Sequence, residues 1–328
     1  MEDGFLISEV SEAAPALGVG AYTMVFLPAT HSTAGDHTAI PRGAGYATGT
    51  INANGKFVLK GKLADGTPLT TSLERSASSL PLGAIYRLFA KPYGRRLDSF
   101  FGGPIYLYPH EDDTRFPGRL RFRDEALMYY MVWQKAMSPA KPLDPSYRDG
   151  FGPLVVEFTV DPWLSPSARP VPVNGVTLPA GTLVQRLDLA PSSASSATVS
   201  VTYSLAEGLD LGARSPFLPT TLNLSPAGRL TVPLPIPAAA DNPVFSLTIS
   251  PSTGAFTGSF LLRDQVGAPP AKAIDRKATF SGTLRQGPAG SDTIGRAHIL
   301  LDPNPADSGP AANEQVSGEL ILTSGAPE

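Results

Sequence analysis

The chain has 328 residues with 34 prolines, 32 glycines and no cysteine, so about one residue in five breaks helices or forms turns, which excludes a mostly helical protein. With 42% hydrophobic and 17% charged residues it is too apolar for a disordered polymer, and without cysteine it has no disulfides, thiolate nucleophiles or cysteine-based metal sites. Twenty-six basic residues against 29 acidic ones, a formal net charge of −3, give no basic field for nucleic acid or anionic lipid.

Residues 1–19 carry acids where a signal peptide would carry Lys or Arg, and no run approaches the ~18–20 apolar residues of a membrane helix. No membrane insertion is expected. Alternation of apolar and polar residues then predicts strands at 22–27, 46–51, 69–73, 85–90, 105–108, 120–122, 127–133, 154–160, 183–187 and 198–203. The segment 124–137, with Asp124 placed to cap and Glu125 in a first turn, has some helical character. Its aromatic and β-branched content favours strand, with Trp133 sharing a parity with Tyr129 and Met131.

Four further strands share an apolar-x-Gly-x-apolar pattern. Phe57, Leu59, Gly61 and Leu63 oppose Lys56, Val58, Lys60 and Lys62; Phe256, Gly258, Phe260 and Leu262 oppose Thr257 and Ser259. Phe280, Gly282 and Leu284 oppose Thr279, Ser281 and Thr283, and Val316, Gly318, Leu320 and Leu322 oppose Gln315, Ser317 and Glu319. Each strand should have one dry and one wet face. Glycine weakens a strand, so an inward glycine marks a sharp bend or a site crossed by a bulky side chain from another wall. Gly55, Gly228 and Gly254, each after an Asn- or Ser-rich stretch, read as hairpin turns requiring positive φ.

These features define an all-β chain with little helix, built as an antiparallel β-barrel or strongly coiled sandwich of many short strands. The expected organisation is a lead-in over 1–21, one large barrel-like assembly over 22–323 and a tail over 324–328. A cut at the loop-like 190–197 would split the repeated glycine strands between two halves; a two-lobed arrangement with a linker there is the alternative. The Pro-rich runs at 232–237 and 303–310 also read as loops.

No catalytic motif stands out, so no catalytic residue and no cofactor are assigned and the chain is read as a non-enzyme. Gly-x-Ser-x-Gly, His-Glu-x-x-His and the nucleotide-binding fingerprints are missing. His31, Asp36 and His37 fall in a turn-rich loop and read as solvated. Glu111, Asp112 and Asp113, within His110–Arg115, are weak metal candidates, because neighbouring side chains in a turn point apart and the EF-hand spacing is lacking. Asp65 and Gly66 read as a turn. A glycosidase would need two carboxylates ~5–10 Å apart drawn from distant segments, and Asp124, Glu125 and Glu157 look like ordinary strand-end acids. Tyr106, Tyr108, Tyr130 and Trp163 are the candidate ligand-binding residues, as rings that stack on sugars. Burial is the competing expectation for rings of this size, above all for Trp133. Trp133, Gly61, Gly258, Gly282 and Gly318 are assigned structural roles.

Several short motifs occur in order: Gly43, Gly45 and Tyr46; Leu63, Ala64, Asp65, Gly66 and Thr67; Trp133; Tyr147, Gly150 and Phe151; Thr253, Gly254, Phe256, Gly258 and Phe260; and Phe280, Gly282, Leu284 and Gln286. Together, from about Tyr22 to Thr323, they resemble an uncharacterised Gly-rich all-β module of very large bacterial cell-surface proteins. The chain departs from that pattern in lacking tryptophan near Leu80 and Phe100. The resemblance implies an exported or cell-surface setting, neighbouring modules of the same large chain as partners, and a noncatalytic structural or adhesive role. A carbohydrate-binding module with polysaccharide as partner is the alternative, and a glycoside-active enzyme a second one.

Overall fold

The computed structural model describes residues 18–28, 40–76, 83–94, 98–109, 115–117, 119–122, 130–137, 147, 149–189, 196–204, 218–232, 245–266, 272–288, 291–301 and 316–325. Among these the chain is almost entirely β, in two nearly closed antiparallel sheets. The first comprises β1 (Gly20–Pro28), β2 (Gly45–Ile51), β3 (Phe57–Lys62), β4 (Pro68–Leu73), β5 (Ala84–Ala90), β6 (Phe100–Pro109), β7 (Leu120–Phe122), β8 (Met131–Lys135) and β9 (Phe151–Pro162). Their order is β4-β3-β2-β1-β9-β8-β6-β5, with β7 also on β6. The sheet comes round on itself where Arg75 bridges Tyr86 and the Ser76 N–H donates to the Ile85 carbonyl at 2.8 Å.

Between the sheets lie a hairpin, β10 (Val171–Val173) with β11 (Val176–Leu178), and a single helical turn, α1 (Leu183–Arg186). The second sheet follows: β12 (Ala197–Ser204), β13 (Thr221–Leu224), β14 (Leu230–Thr231), β15 (Ser246–Ile249), β16 (Ala255–Val266), β17 (Lys272–Leu284), β18 (Thr293–Leu301) and β19 (Val316–Ser324). Its order is β14-β13-β12-β19-β18-β17-β16-β15, which brings β14 back beside β15.

Each barrel has its own core. Rings dominate the first: Phe57 meets Tyr22 at 5.6 Å and Tyr86 at 5.4 Å, Phe26 meets Phe101 at 5.0 Å, and Trp133 meets Phe151 at 4.8 Å, all edge to face. That is the geometry favoured by the ring quadrupole. In the second barrel register pairs large residues with small. One inward row reads Ile249, Phe256, Gly282, Ala297, Leu320 and the next Leu247, Gly258, Phe280, Ile299, Gly318. The two Phe-x-Gly runs are antiparallel neighbours, so each phenylalanine lies opposite the other strand's glycine. A Cβ on Gly258 would collide with the Phe280 ring and the Ser246 carbonyl. One on Gly282 would run into the Arg296 carbonyl and stand 2.6 Å from the Ala297 Cα. Gly61 likewise meets the backbone of β2. The inward glycines therefore admit both a ring from the next strand and a close backbone approach.

The turn glycines Gly55, Gly228 and Gly254 have φ of 74°, 81° and 78°. Two local expectations need correction. Residues 183–187 are not a strand: Thr182 and Gln185 form a capping box, the Thr182 hydroxyl accepting from the Gln185 N–H and the Gln185 side chain accepting from the Thr182 N–H, and this turns the chain into α1. The wet faces of the second barrel are also partly dry. Ser281, Thr283, Ser317 and Glu319 are buried, Ser281 against Tyr46 and Ser317 against Arg42 and Tyr147 of the first barrel, Thr283 and Glu319 on partners within the second.

Candidate functional site

The polar residues that alternation turns outward from β17, β18 and β19 collect where the second barrel meets β1 and β2 of the first. At the centre of this junction Tyr46 stacks on His298, centroids 6.1 Å apart, and Ser281 Oγ lies 3.1 Å from His298 Nε2. His298 is buried, and desolvation, followed by the nearby Lys62 ammonium, pushes its pKa down to about 3, so the ring is neutral at pH 7. A Cβ at Gly43 would strike the Gly318 carbonyl and stand 2.6 Å from His298 Cβ, so the approach of the two barrels here requires glycine. Arg296 and Glu319 form an ion pair at 2.6 Å beside it.

Around this centre the barrels exchange hydrogen bonds. The Gln286 side chain accepts from the Leu164 N–H at 2.8 Å and donates to the Leu164 carbonyl at 2.9 Å, while its own carbonyl accepts from Arg121 at 2.7 Å. Arg285 Nε donates to Asp161 Oδ2 at 2.7 Å, with both side chains largely buried. Ser317 Oγ is 2.6 Å from the Tyr147 hydroxyl and accepts from the Arg42 N–H at 2.8 Å. Burial raises the Tyr147 pKa to about 12, so its hydroxyl stays protonated.

A second polar cluster lies inside the first barrel, beside the junction. Asp65, in the β3–β4 turn, accepts from the Thr67 N–H at 2.9 Å and the Tyr93 hydroxyl at 2.6 Å. Lys135 Nζ stands 3.8 Å from its Oδ2, and both charged side chains are fully buried. Lys135 also lies 4.9 Å from the Tyr93 ring centre, and the Trp133 indole N–H donates to the Tyr93 oxygen at 3.1 Å. Burial first, then the Asp65 charge, raises the Tyr93 pKa. The next residue, Gly66, packs on Leu300 of the second barrel. Asp65 is thus more than a turn former: it is the acid of a buried ion pair that fixes the turn facing the junction.

The ordered motifs of the sequence converge here. Gly43, Tyr46, Gly66, Tyr147 and Gln286 touch the partner barrel directly, and Asp65 and Trp133 belong to the cluster behind them. The candidate sugar-stacking rings divide, Trp163 lying inside and Tyr106, Tyr108 and Tyr130 on one outer wall of the first barrel. Trp163 is 1% exposed, its indole N–H bound to the Pro251 carbonyl at 3.1 Å, so it offers no ring face to a ligand. Large apolar area and a satisfied N–H are what burial of an indole requires. Tyr106 and Tyr108 lie half-buried on the outward parity of β6, and Tyr130, 36% exposed, precedes β8. Phe89, 63% exposed, lies on the same outer wall, stacked on Phe100 at 6.1 Å. Glu157 is exposed on β9.

His31, Asp36, His37, Glu111, Asp112, Asp113, Asp124 and Glu125 lie outside the described residues. Among the described residues no group of three or more His, Asp or Glu side chains could hold a metal ion, and no helix is long and apolar enough to cross a membrane. Sequence reasoning passed over Tyr93, Lys135, Asp161, Arg121 and Arg285 and gave His298 no role, because the hydrogen-bond, ion-pair and stacking partners that define them here come from other strands. Compared with known proteins, the chain matches no family model, no curated protein and no solved structure.

Proposed function

We propose that this chain is a noncatalytic structural or adhesive module of an exported or cell-surface bacterial protein, a rigid two-barrel spacer that neighbouring modules of the same chain flank. The observation that carries the reading is the junction: side chains from both barrels satisfy one another's buried polar groups there, so separating the barrels would exchange several buried hydrogen bonds for bonds to water. Each contributes a net ~0.5–1.5 kcal/mol. Such a contact favours a fixed angle between the barrels, which suits a spacer carrying load or presenting a surface. The resemblance of the motif order to cell-surface modules supports the same setting.

Single-molecule stretching of the full chain tests it. Both barrels should resist force, and Gln286→Ala should lower the force of the first unfolding event. A junction that parts at negligible force in the unaltered chain would refute the spacer role. A carbohydrate-binding function has one observation in its favour, the outward Tyr106, Tyr108 and Tyr130 on the wall that also carries Phe89. Their replacement by Ala should abolish polysaccharide retention if that function holds.

A further inference from the structure

Beside the junction lies a cleft of about 360 Å³, lined by Ala21, Thr48, Thr50, Val58 and Lys60 of the first barrel and by Ser252 and Thr253 of the second. Its size is that of a small-ligand pocket, and a boundary between two packed units is where such pockets tend to form. One wall is the outer face of β1–β3. There Thr48 and Thr50 stand opposite Lys60 and Val58, with the Thr48 hydroxyl donating to the Lys60 carbonyl at 3.4 Å.

The opposite rim is the β15–β16 turn, and it is held in place. The Thr253 and Gly254 N–H groups both donate to the Ser250 carbonyl, at 3.1 and 2.8 Å. Trp163 donates to the Pro251 carbonyl, Ser165 Oγ donates to the Ser252 carbonyl at 3.0 Å, and the Trp163 ring packs on Gly254. Trp163 therefore serves this cleft as a buttress, and a fixed rim lowers the ordering cost of binding.

The lining chemistry is selective. Among the described lining residues Lys60 carries the only formal charge, in a chain whose net charge is −3. With the Thr48 hydrogen on the Lys60 carbonyl and the Thr253 hydrogen on Ser250 Oγ, those two hydroxyls offer acceptors while the Thr50 and Ser252 hydroxyls can turn either way, which suits a ligand rich in hydroxyls. Val58, 44% exposed, and Ala21 offer an apolar strip for the C–H face of a ring. We infer that the inter-barrel cleft binds a carboxylated sugar unit of a polysaccharide, its carboxylate on Lys60 and its hydroxyls on the Thr and Ser side chains. This deepens the adhesive side of the proposed function and is independent of the load-bearing side.

The test measures equilibrium binding of the full chain to polygalacturonate and, as a neutral polymer, to dextran. The unaltered chain should bind polygalacturonate selectively. Lys60→Glu should weaken that binding at least about tenfold, the scale of one lost charge-assisted contact. Lys91→Glu, the same charge change at an exposed site elsewhere on the first barrel, should leave it within about twofold, as expected for a distant screened charge. Thr50→Trp, which fills the cleft from an exposed strand position, should abolish it with melting unchanged. No binding by the unaltered chain, equal losses with Lys60→Glu and Lys91→Glu, or retained binding with Thr50→Trp would each overturn the proposal. The stretching result would stand in all three cases, so failure of the cleft and failure of the spacer role are distinguishable.

Discussion

The first barrel fills its interior with rings drawn from several walls and buries a charged pair at one end, whereas the second interleaves phenylalanine with glycine across paired strands and buries Ser281, His298 and Ser317 on its outer face, under the first. The same problem, filling a small closed sheet, is thus solved by edge-to-face rings in one barrel and by register in the other. The difference predicts where each is vulnerable. The first should be sensitive to loss of a partner in its charged cluster, the second to added volume at its glycines, and the junction to protonation.

The largest effect is expected from Lys135→Met. It leaves the Asp65 carboxylate fully buried without its ammonium, and breaking a buried pair in this way costs ~3–5 kcal/mol. Chemical denaturation should show the loss. A cost below about 1 kcal/mol, the range of exposed pairs, would mean that the cluster is solvated.

Gly282→Val comes next, because a branched side chain there meets the backbone of β18; overpacking of this kind costs ~1–3 kcal/mol. The thermal midpoint should fall, and an unchanged midpoint would remove the Phe/Gly account of the second barrel.

The third effect, absent at neutral pH and growing only on acidification, belongs to His298. Its folded pKa of about 3 lies below the ~6.5 of the unfolded chain, so the unfolded chain binds more protons between those values. Its contribution is complete above about pH 6.5 and is lost as pH falls towards about 3, by roughly 1.4 kcal/mol per unit. Comparing His298→Gln with the unaltered chain isolates this term from the carboxylates that titrate over the same range. The variant should lose stability less steeply on acidification, and identical slopes would mean that His298 is not buried.

Legibility in the sequence follows range. Alternation and turn glycines are local, so most strands, the hairpin turns and the inward glycines can be read directly, and the structure places Gly258 opposite Phe280 as an inward glycine should be. The Thr182–Gln185 capping box and the Asn174-Gly175 turn of the β10–β11 hairpin are equally local and carry recognisable signatures; they are the readable features that alternation alone overlooks. The junction is of another kind. Ser281 and Ser317 have the pattern of a solvated strand face, and only the arrival of a second barrel makes them interior. Asp65 has the pattern of a turn acid until Lys135, 70 positions further along, meets it. Trp163 is read as a sugar platform because it falls in the aromatic-rich middle of the chain, yet it anchors the turn that rims the cleft.

The central claim is that the two barrels form one rigid body. The absence of native cysteine makes a direct test convenient, since Arg87→Cys on the first barrel and Thr257→Cys on the second, both exposed positions, place one spin label on each. Pulsed dipolar spectroscopy should then give a single narrow distance distribution that broadens with Gln286→Ala. A broad or multimodal distribution in the double-cysteine chain that otherwise keeps its native sequence would contradict the account.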